Sequence, residues 1–163
     1  MQMIVAAAKN WAIGKDGDLL WHLPEDMKFF RKMTTGNVVV MGRKTLDSFP
    51  GGKPLKNRTN LVLTRDRSFH REGTLAVHDL EGALAALKAY EPEQIFIAGG
   101  GDIYRQFLPL CDTVYVTRVD RDFLADTYFP DLDKNPEWEL SYEGEQMEWE
   151  GLIFAHTTYK RRS

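Results

Sequence analysis

Asp26 is the residue whose setting most invites a chemical reading. In "DLLWHLPEDMKFF" (18–30), Pro24 suits the first position of a helix, because its missing N–H would have had no intrahelical partner there. Winding on at about 100° per residue gathers Leu23, Met27, Phe29, Phe30 and Met33 on an apolar arc. Asp26 falls inside that arc, between Phe30 and Met33, while Glu25, Lys28, Arg31 and Lys32 take the opposite face. A carboxylate in a first helical turn also complements the helix dipole, so capping stands as the alternative role. Against capping, a carboxylate among apolar groups has its charged form disfavoured unless a partner offsets the loss. That suits it to binding or protonating a nitrogen heterocycle.

A second chemistry gathers at three strand ends. "VVVMGRKT" ends an apolar run at Gly42 and continues into Arg43, Lys44 and Thr45. Cations at a helix N-terminus, where N–H groups are free, make a phosphate site. "LVLTRDR" ends another run with Thr64, Arg65 and Arg67, and "IFIAGGGDIY" ends a third with Gly99, Gly100 and Gly101. The glycines let a ligand approach the backbone closely. Each end alone is a weak signal; together they point to a ligand with more than one phosphate. The G-x-G-x-x-G fingerprint fails, because Tyr104 stands where its last glycine belongs. The scattered His22, His70, His78 and His156 form no metal motif, and no G-x-S-x-G elbow is present.

These residues need a scaffold of alternating elements. Strand-like runs occupy 3–8, 37–42, 60–64, 74–78, 94–100 and 113–119, with helical patterns at 24–34, 43–48, 79–90 and 101–108. Consecutive apolar residues such as Val38–Met41 read as strands covered on both faces. The expectation is a single α/β domain over 1–163, with a mostly parallel central sheet flanked by helices. "WELSYEGEQ" and "GLIFAHTTYK" close one edge as an antiparallel hairpin. The segments 9–22 and 49–59, punctuated by glycine or proline, read as functional loops.

Composition narrows the classes. With 21 basic and 24 acidic residues the net charge is −3, which is no footprint for a general nucleic-acid binder. The lone Cys111 fits ordinary packing in a reducing compartment. No leader or membrane-length apolar run is visible, so a cytoplasmic, soluble protein is expected.

The blocks "AIGKDGDLLWHLPEDMKFFRKMT", "VVMGRKTLDSF", "PLKNRTNLVLTR", "IAGGGDIYRQFLP" and "DTYFPD" together resemble bacterial dihydrofolate reductase, in order and over nearly the whole chain. The resemblance implies the fold of that family and NADPH-dependent reduction of 7,8-dihydrofolate, with hydride passing to pterin C6 and a proton to N5. It implies that Asp26 binds the 2-amino group and N3 of the pterin and promotes N5 protonation. Thr117 would steady this carboxylate and Trp21 an ordered water, with Leu19 grouped among the catalytic residues. Met27, Phe30, Phe49 and Leu55 would wall the pterin and aminobenzoyl groups. Arg58 would grip the glutamate α-carboxylate, and the backbone carbonyls of Ile4 and Ala98 would face the pterin edge. Arg43, Lys44, Thr64 and Arg65 would hold the 2′-phosphate, which favours NADPH over NADH. Gly42, Thr45, Gly99, Gly100, Gly101 and Ile103 would line the cofactor's phosphates, and Ala6, Ile13, Gly14 and Tyr104 its nicotinamide end. The loop 9–22 would close over the site. Dihydrofolate and antifolates are the partners implied, with a monomer and no nucleic acid or membrane.

Leu20 departs from a proline found in many members, and Ala125 from a glycine found in some. Asp102 stands where some carry a basic residue. Two other readings stay open: a pyrimidine or pterin reductase of the same fold, and a nucleotide-binding module without catalysis.

Overall fold

Strands that read as apolar on consecutive positions should lie between two covering layers, and the chain builds those layers from short βα units. A computed structural model describes residues 1–163. Its elements run β1 (Gln2–Ala8), β2 (Ala12–Lys15), β3 (Asp18–Leu19), α1 (Pro24–Thr34), β4 (Val38–Gly42), α2 (Arg43–Ser48), β5 (Thr59–Leu63), β6 (Thr74–Val77) and α3 (Leu80–Leu87). They continue with β7 (Ile95–Ile97), α4 (Gly101–Phe107), β8 (Thr113–Val119), β9 (Thr127–Tyr128), β10 (Trp138–Glu143), β11 (Met147–Trp149) and β12 (Leu152–Arg161).

Nine strands form the main sheet in the order β10-β12-β8-β1-β7-β4-β5-β6, with β11 beside β12. From β8 to β6 all pairings are parallel; β12 runs antiparallel to β8, β10 and β11. The expected α/β architecture with a C-terminal antiparallel hairpin is therefore what the chain adopts. Alternate residues go to opposite faces. Met3, Val5, Ala7, Val38, Val40, Ile95, Ile97, Val114 and Val116 enter one core with Leu87 and Phe107. Val39, Met41 and Val62 enter a second core with Leu46 and Phe69. Cys111 is buried in the first core, and burial pushes its thiol up to about 12, as fits a packing residue.

Two departures matter for the site. The segment expected as a functional loop at 9–22 contains the hairpin β2-β3, and β9 joins it in a separate three-stranded sheet. Asp16 and Gly17 turn that hairpin at φ 54° and 80°, the left-handed pair that an Asp-Gly turn favours. The strand expected to run to Gly100 ends instead at Ile97. The chain then leaves the sheet through Gly99, at φ 117°, and a cis Gly99–Gly100 peptide.

Candidate active site

The inward face of α1 decides what Asp26 does. Asp26, Phe29, Phe30 and Met33 are partly buried and Thr34 fully so, while Glu25, Lys28, Arg31 and Lys32 are exposed. No side chain caps the N-terminus of this helix. Asp26 instead reaches across to the sheet, where Thr117 Oγ1 donates to its Oδ1 at 2.5 Å. The carboxyl therefore belongs to a cleft between helix and sheet. Burial raises its pKa above the ordinary aspartate range, against the lowering effect of the Thr117 hydrogen bond and of nearby His156.

Strand register aligns the floor of this cleft. Ala6 on β1 lies opposite Thr117 on β8, and Thr117 opposite His156 on β12. Two residues back along the same face, Ile4 lies opposite Tyr115. The buried Tyr104 of α4 donates its phenol to the Ile4 carbonyl at 2.9 Å, and burial followed by the Asp26 charge raises its pKa. Tyr104 thus links the acid's surroundings to the glycine-rich turn.

Phe30, Phe49 and Leu55 all pack on the second core together with Ala98, which brings three of the four expected wall residues together. Met27 departs from the helical projection: it is 59% exposed, because it sits one position beyond the face that actually turns inward. Leu19 is 60% exposed, its backbone paired with Gly14 across the β2-β3 hairpin. Trp21 packs on Phe123 with ring centres 5.0 Å apart, beside a small core of Leu23, Val119 and Phe154. Arg58 donates Nε to the Lys56 carbonyl at 2.8 Å and Nη1 to Thr34 Oγ1 at 3.1 Å. Those bonds fix the guanidinium plane and leave donors over for a carboxylate. Burial, and then the charge of Arg31, lower its pKa.

The three expected phosphate-binding strand ends also come together. Gly42 donates its N–H to the Gly99 carbonyl at 2.8 Å, joining the ends of β4 and β7. A Cβ at Gly42 would meet Ile103 Cγ1 at 3.2 Å, and one at Gly101 would meet Thr127 Cγ2 at 2.8 Å. Only glycine keeps this turn so close to its neighbours. The Thr45 hydroxyl lies 3.6 Å from where a Gly100 Cβ would be, so it edges the same turn. β5 ends alongside, where His78 Nδ1 lies 2.9 Å from the Thr64 carbonyl oxygen. Lys44 and Arg65 are exposed and make no ion pair, whereas Arg43 is tied to Asp66 at 3.0 Å and Asp47 at 3.7 Å. Asp102 is paired with Arg105, whose guanidinium lies 3.5 Å from the Cβ position of Gly101. A basic group thus faces the turn even though Asp102 follows the glycines. Exposed unpaired cations, backbone N–H groups and a hydroxyl at glycine-lined strand ends fit a phosphorylated dinucleotide.

The 9–22 segment is latched to the chain ahead of β9. Asp16 donates its N–H to Asp126 Oδ2 at 2.8 Å, and the Asp126 N–H donates to the Gly14 carbonyl at 3.1 Å. The first of these bonds, then that from Thr127, holds the Asp126 carboxyl below its usual range. Ile13, on β2 of this hairpin, is buried.

His156, Arg31 and Arg105 lie outside the residues expected from the sequence. Arg105 could have been found by its i,i+3 spacing from Asp102. His156 could not, because only the β12–β8 register brings it to Thr117.

A cationic, glycine-lined end and an acid-bearing apolar end, joined over β1 by Tyr104, mark a reductase taking a dinucleotide on one side and a heterocycle on the other. The dihydrofolate reductase family model matches residues 1–161. The dihydrofolate reductase of Haemophilus influenzae is 40% identical over 141 residues, covering 86% of this chain and 84% of its own. That of Bacillus subtilis is 34% identical over 165 residues, covering 100% and 95%. Among solved structures, dihydrofolate reductase from Enterococcus faecalis, complexed with NADP(H) and RAB-propyl, superposes with a TM-score of 0.87. It is 35% identical, covering 99% of this chain and 96% of that one. The chain belongs to the dihydrofolate reductase family.

Proposed function

We propose a division of labour among these residues for the reaction of the family, the NADPH-dependent reduction of 7,8-dihydrofolate to tetrahydrofolate. The observation that carries it is the Thr117–Asp26 hydrogen bond, which holds an acid inward from α1 over the sheet. The Asp26 carboxylate accepts hydrogen bonds from the pterin 2-amino group and N3. As the one acid of this pocket, it promotes proton delivery to N5 through water. Its raised pKa brings its acid strength nearer the working pH, which favours general acid catalysis. Trp21 orders water beside it, and Leu19 belongs to the loop that keeps bulk solvent out.

Phe30, Phe49 and Leu55 hold the ring and the aminobenzoyl group, with Met27 at the exposed edge. The Ile4 and Ala98 carbonyls face the pterin edge, the former already held by Tyr104. Arg58 takes the glutamate α-carboxylate, and Arg31 adds positive potential there. Bound NADPH supplies the hydride that C6 receives.

Lys44 and Arg65, with Thr64 and the partly neutralised Arg43, bind the 2′-phosphate. Gly42, Thr45, Ile103 and the Gly99–Gly101 turn cradle the pyrophosphate, with Arg105 beside them. Ala6, Ile13, Gly14 and Tyr104 border the nicotinamide. Closure of the β2-β3 hairpin, held by Asp126, excludes water and keeps the two rings at reaction distance. The same pocket takes antifolates in place of substrate. The reading includes a monomer working in the cytoplasm, without nucleic-acid or membrane partners. No helix is long and apolar enough to cross a membrane.

The test is loss of nicotinamide absorbance on mixing protein, NADPH and dihydrofolate, with NADH and an aminouracil as parallel arms. Fast loss only with NADPH and dihydrofolate supports the reading. Turnover of the aminouracil alone, or none with folded protein, overturns it.

A further inference from the structure

The Asp26–Thr117 hydrogen bond does not end at Thr117. His156 of β12 stands opposite it in register, with Nδ1 2.9 Å from Thr117 Oγ1. Three side chains from three elements, α1, β8 and β12, thus share one hydroxyl. Thr117 is buried, 2% exposed, so solvent does not compete freely for its oxygen. The imidazole is fixed from its other sides as well. It stacks on Phe29 with ring centres 4.3 Å apart and planes at 21°, and Phe154 meets it edge-on at 6.5 Å. The Gly144 N–H holds its backbone carbonyl at 2.8 Å.

A hydroxyl carries a single proton, and this limits the chain to two arrangements. When Asp26 is a carboxylate, Thr117 donates to it, so His156 must donate its Nδ1–H to the Thr117 oxygen. When Asp26 carries a proton, it can donate to Thr117, whose own O–H then turns to Nδ1; the imidazole proton must now sit on Nε2. We propose that His156 is a positioning residue that acts on Asp26 through the Thr117 hydroxyl, its tautomer tied to whether Asp26 holds a proton. Atoms and charge balance: one proton arrives at Asp26, and the imidazole stays neutral while its proton moves from Nδ1 to Nε2 by exchange with solvent.

The surroundings fit a neutral ring. From α1 the ring faces Asp26 and Glu25, whose charges favour the imidazolium; burial is the larger effect and lowers its pKa. From β8 it faces Thr117, with the Tyr115 phenol two residues away, itself held by Gln2 at 3.1 Å. An imidazolium would fit the first arrangement alone, because both its nitrogens donate. Accumulation of that form at low pH would therefore oppose protonation of Asp26.

The inference rests on the assignment of Asp26 to the substrate site. His156→Phe keeps an aromatic ring on Phe29 but removes the Nδ1 contact. His156→Asn restores a group that can donate or accept at that position. The expected result is a roughly three- to tenfold fall in kcat/KM for dihydrofolate at pH 7 in His156→Phe. Its pH profile for hydride transfer should move to higher pH, the NADPH Kd should stay unchanged, and His156→Asn should recover part of the loss. A profile superimposable on the wild type would overturn the inference. Nitrogen-15 NMR of the unaltered protein gives a second reading, independent of variant folding. The His156 ring nitrogens should report an exchange of Nδ1–H for Nε2–H that follows Asp26, and this should vanish in Asp26→Asn. Shifts that track only the ring's own ionisation in both proteins would also overturn it. If the assignment of Asp26 were itself at fault, Asp26→Asn would retain neutral-pH turnover; failure of the His156 inference alone leaves Asp26→Asn crippled.

Discussion

Thr117→Val is the most informative small change available, because it removes one oxygen and almost no shape. The Thr117 hydroxyl is the one side-chain donor bonded to Asp26 in the folded protein, at 2.5 Å, and its residue is 2% exposed. A hydrogen bond to a charged group contributes about 1.5–3 kcal/mol, and about 1.4 kcal/mol corresponds to a factor of ten. If the charged form of Asp26 holds the pterin, kcat/KM for dihydrofolate at pH 7 should fall by roughly 10- to 150-fold. The direction with pH follows from the balance at Asp26: burial raises its pKa and Thr117 lowers it, so removing Thr117 raises it further. The profile of the hydride step should therefore move to higher pH. Stability at pH 7 should fall by roughly 1–3 kcal/mol, because the carboxylate loses its one side-chain donor, and the loss should shrink towards acidic pH as Asp26 takes up its proton. Stopped-flow hydride transfer across pH, with thermal melts as a folding control, reads all three quantities. A well-folded Thr117→Val with wild-type kcat/KM and an unmoved profile would refute the reasoning.

Other consequences are as open to measurement. Lys44→Ala with Arg65→Ala should weaken NADPH binding by about tenfold or more per lost charge-assisted contact, and leave NADH within a few-fold; equal losses in fluorescence titrations would remove both residues from the 2′-phosphate site. Arg58→Ala should raise KM for dihydrofolate by at least about tenfold but leave unchanged the KM for a substrate analogue lacking the glutamate; a parallel rise for both would reject the carboxylate role. Asp26 has a folded pKa raised above the ordinary 3.8, so its contribution to stability is fully present below that value and is lost as pH rises through the folded pKa. Asp26→Asn should therefore be more stable than the wild type at pH 7, by roughly 0.5–2 kcal/mol, with the gap closing towards pH 3; a less stable variant at pH 7 would contradict this.

Much of the fold and of the site is legible in the sequence, for identifiable reasons. Apolar runs such as Val38–Met41 specify doubly covered strands, and Pro24 with the following arc specifies α1 and the inward place of Asp26. What escaped depends on long-range pairing or on very short elements. β3 and β9 have two residues each, too few for any periodicity. His156 is one of several scattered histidines until β12 pairs with β8, which brings together residues 39 apart in sequence. Met27 lies 59% exposed at the rim of the inward face, and a helical projection cannot tell the centre of such a face from its rim. Arg43 looked like a free cation because its partner Asp66 lies 23 residues away.

The measurement closest to the central claim is the single-turnover rate of hydride transfer from NADPH to dihydrofolate in Asp26→Asn, followed from pH 5 to 8 beside the wild type. The account predicts a loss on the order of 10²- to 10⁴-fold at neutral pH, with activity partly regained at acidic pH where the substrate preprotonates, and unchanged NADPH affinity. A neutral-pH rate equal to the wild type's would contradict it and remove Asp26 from the chemistry.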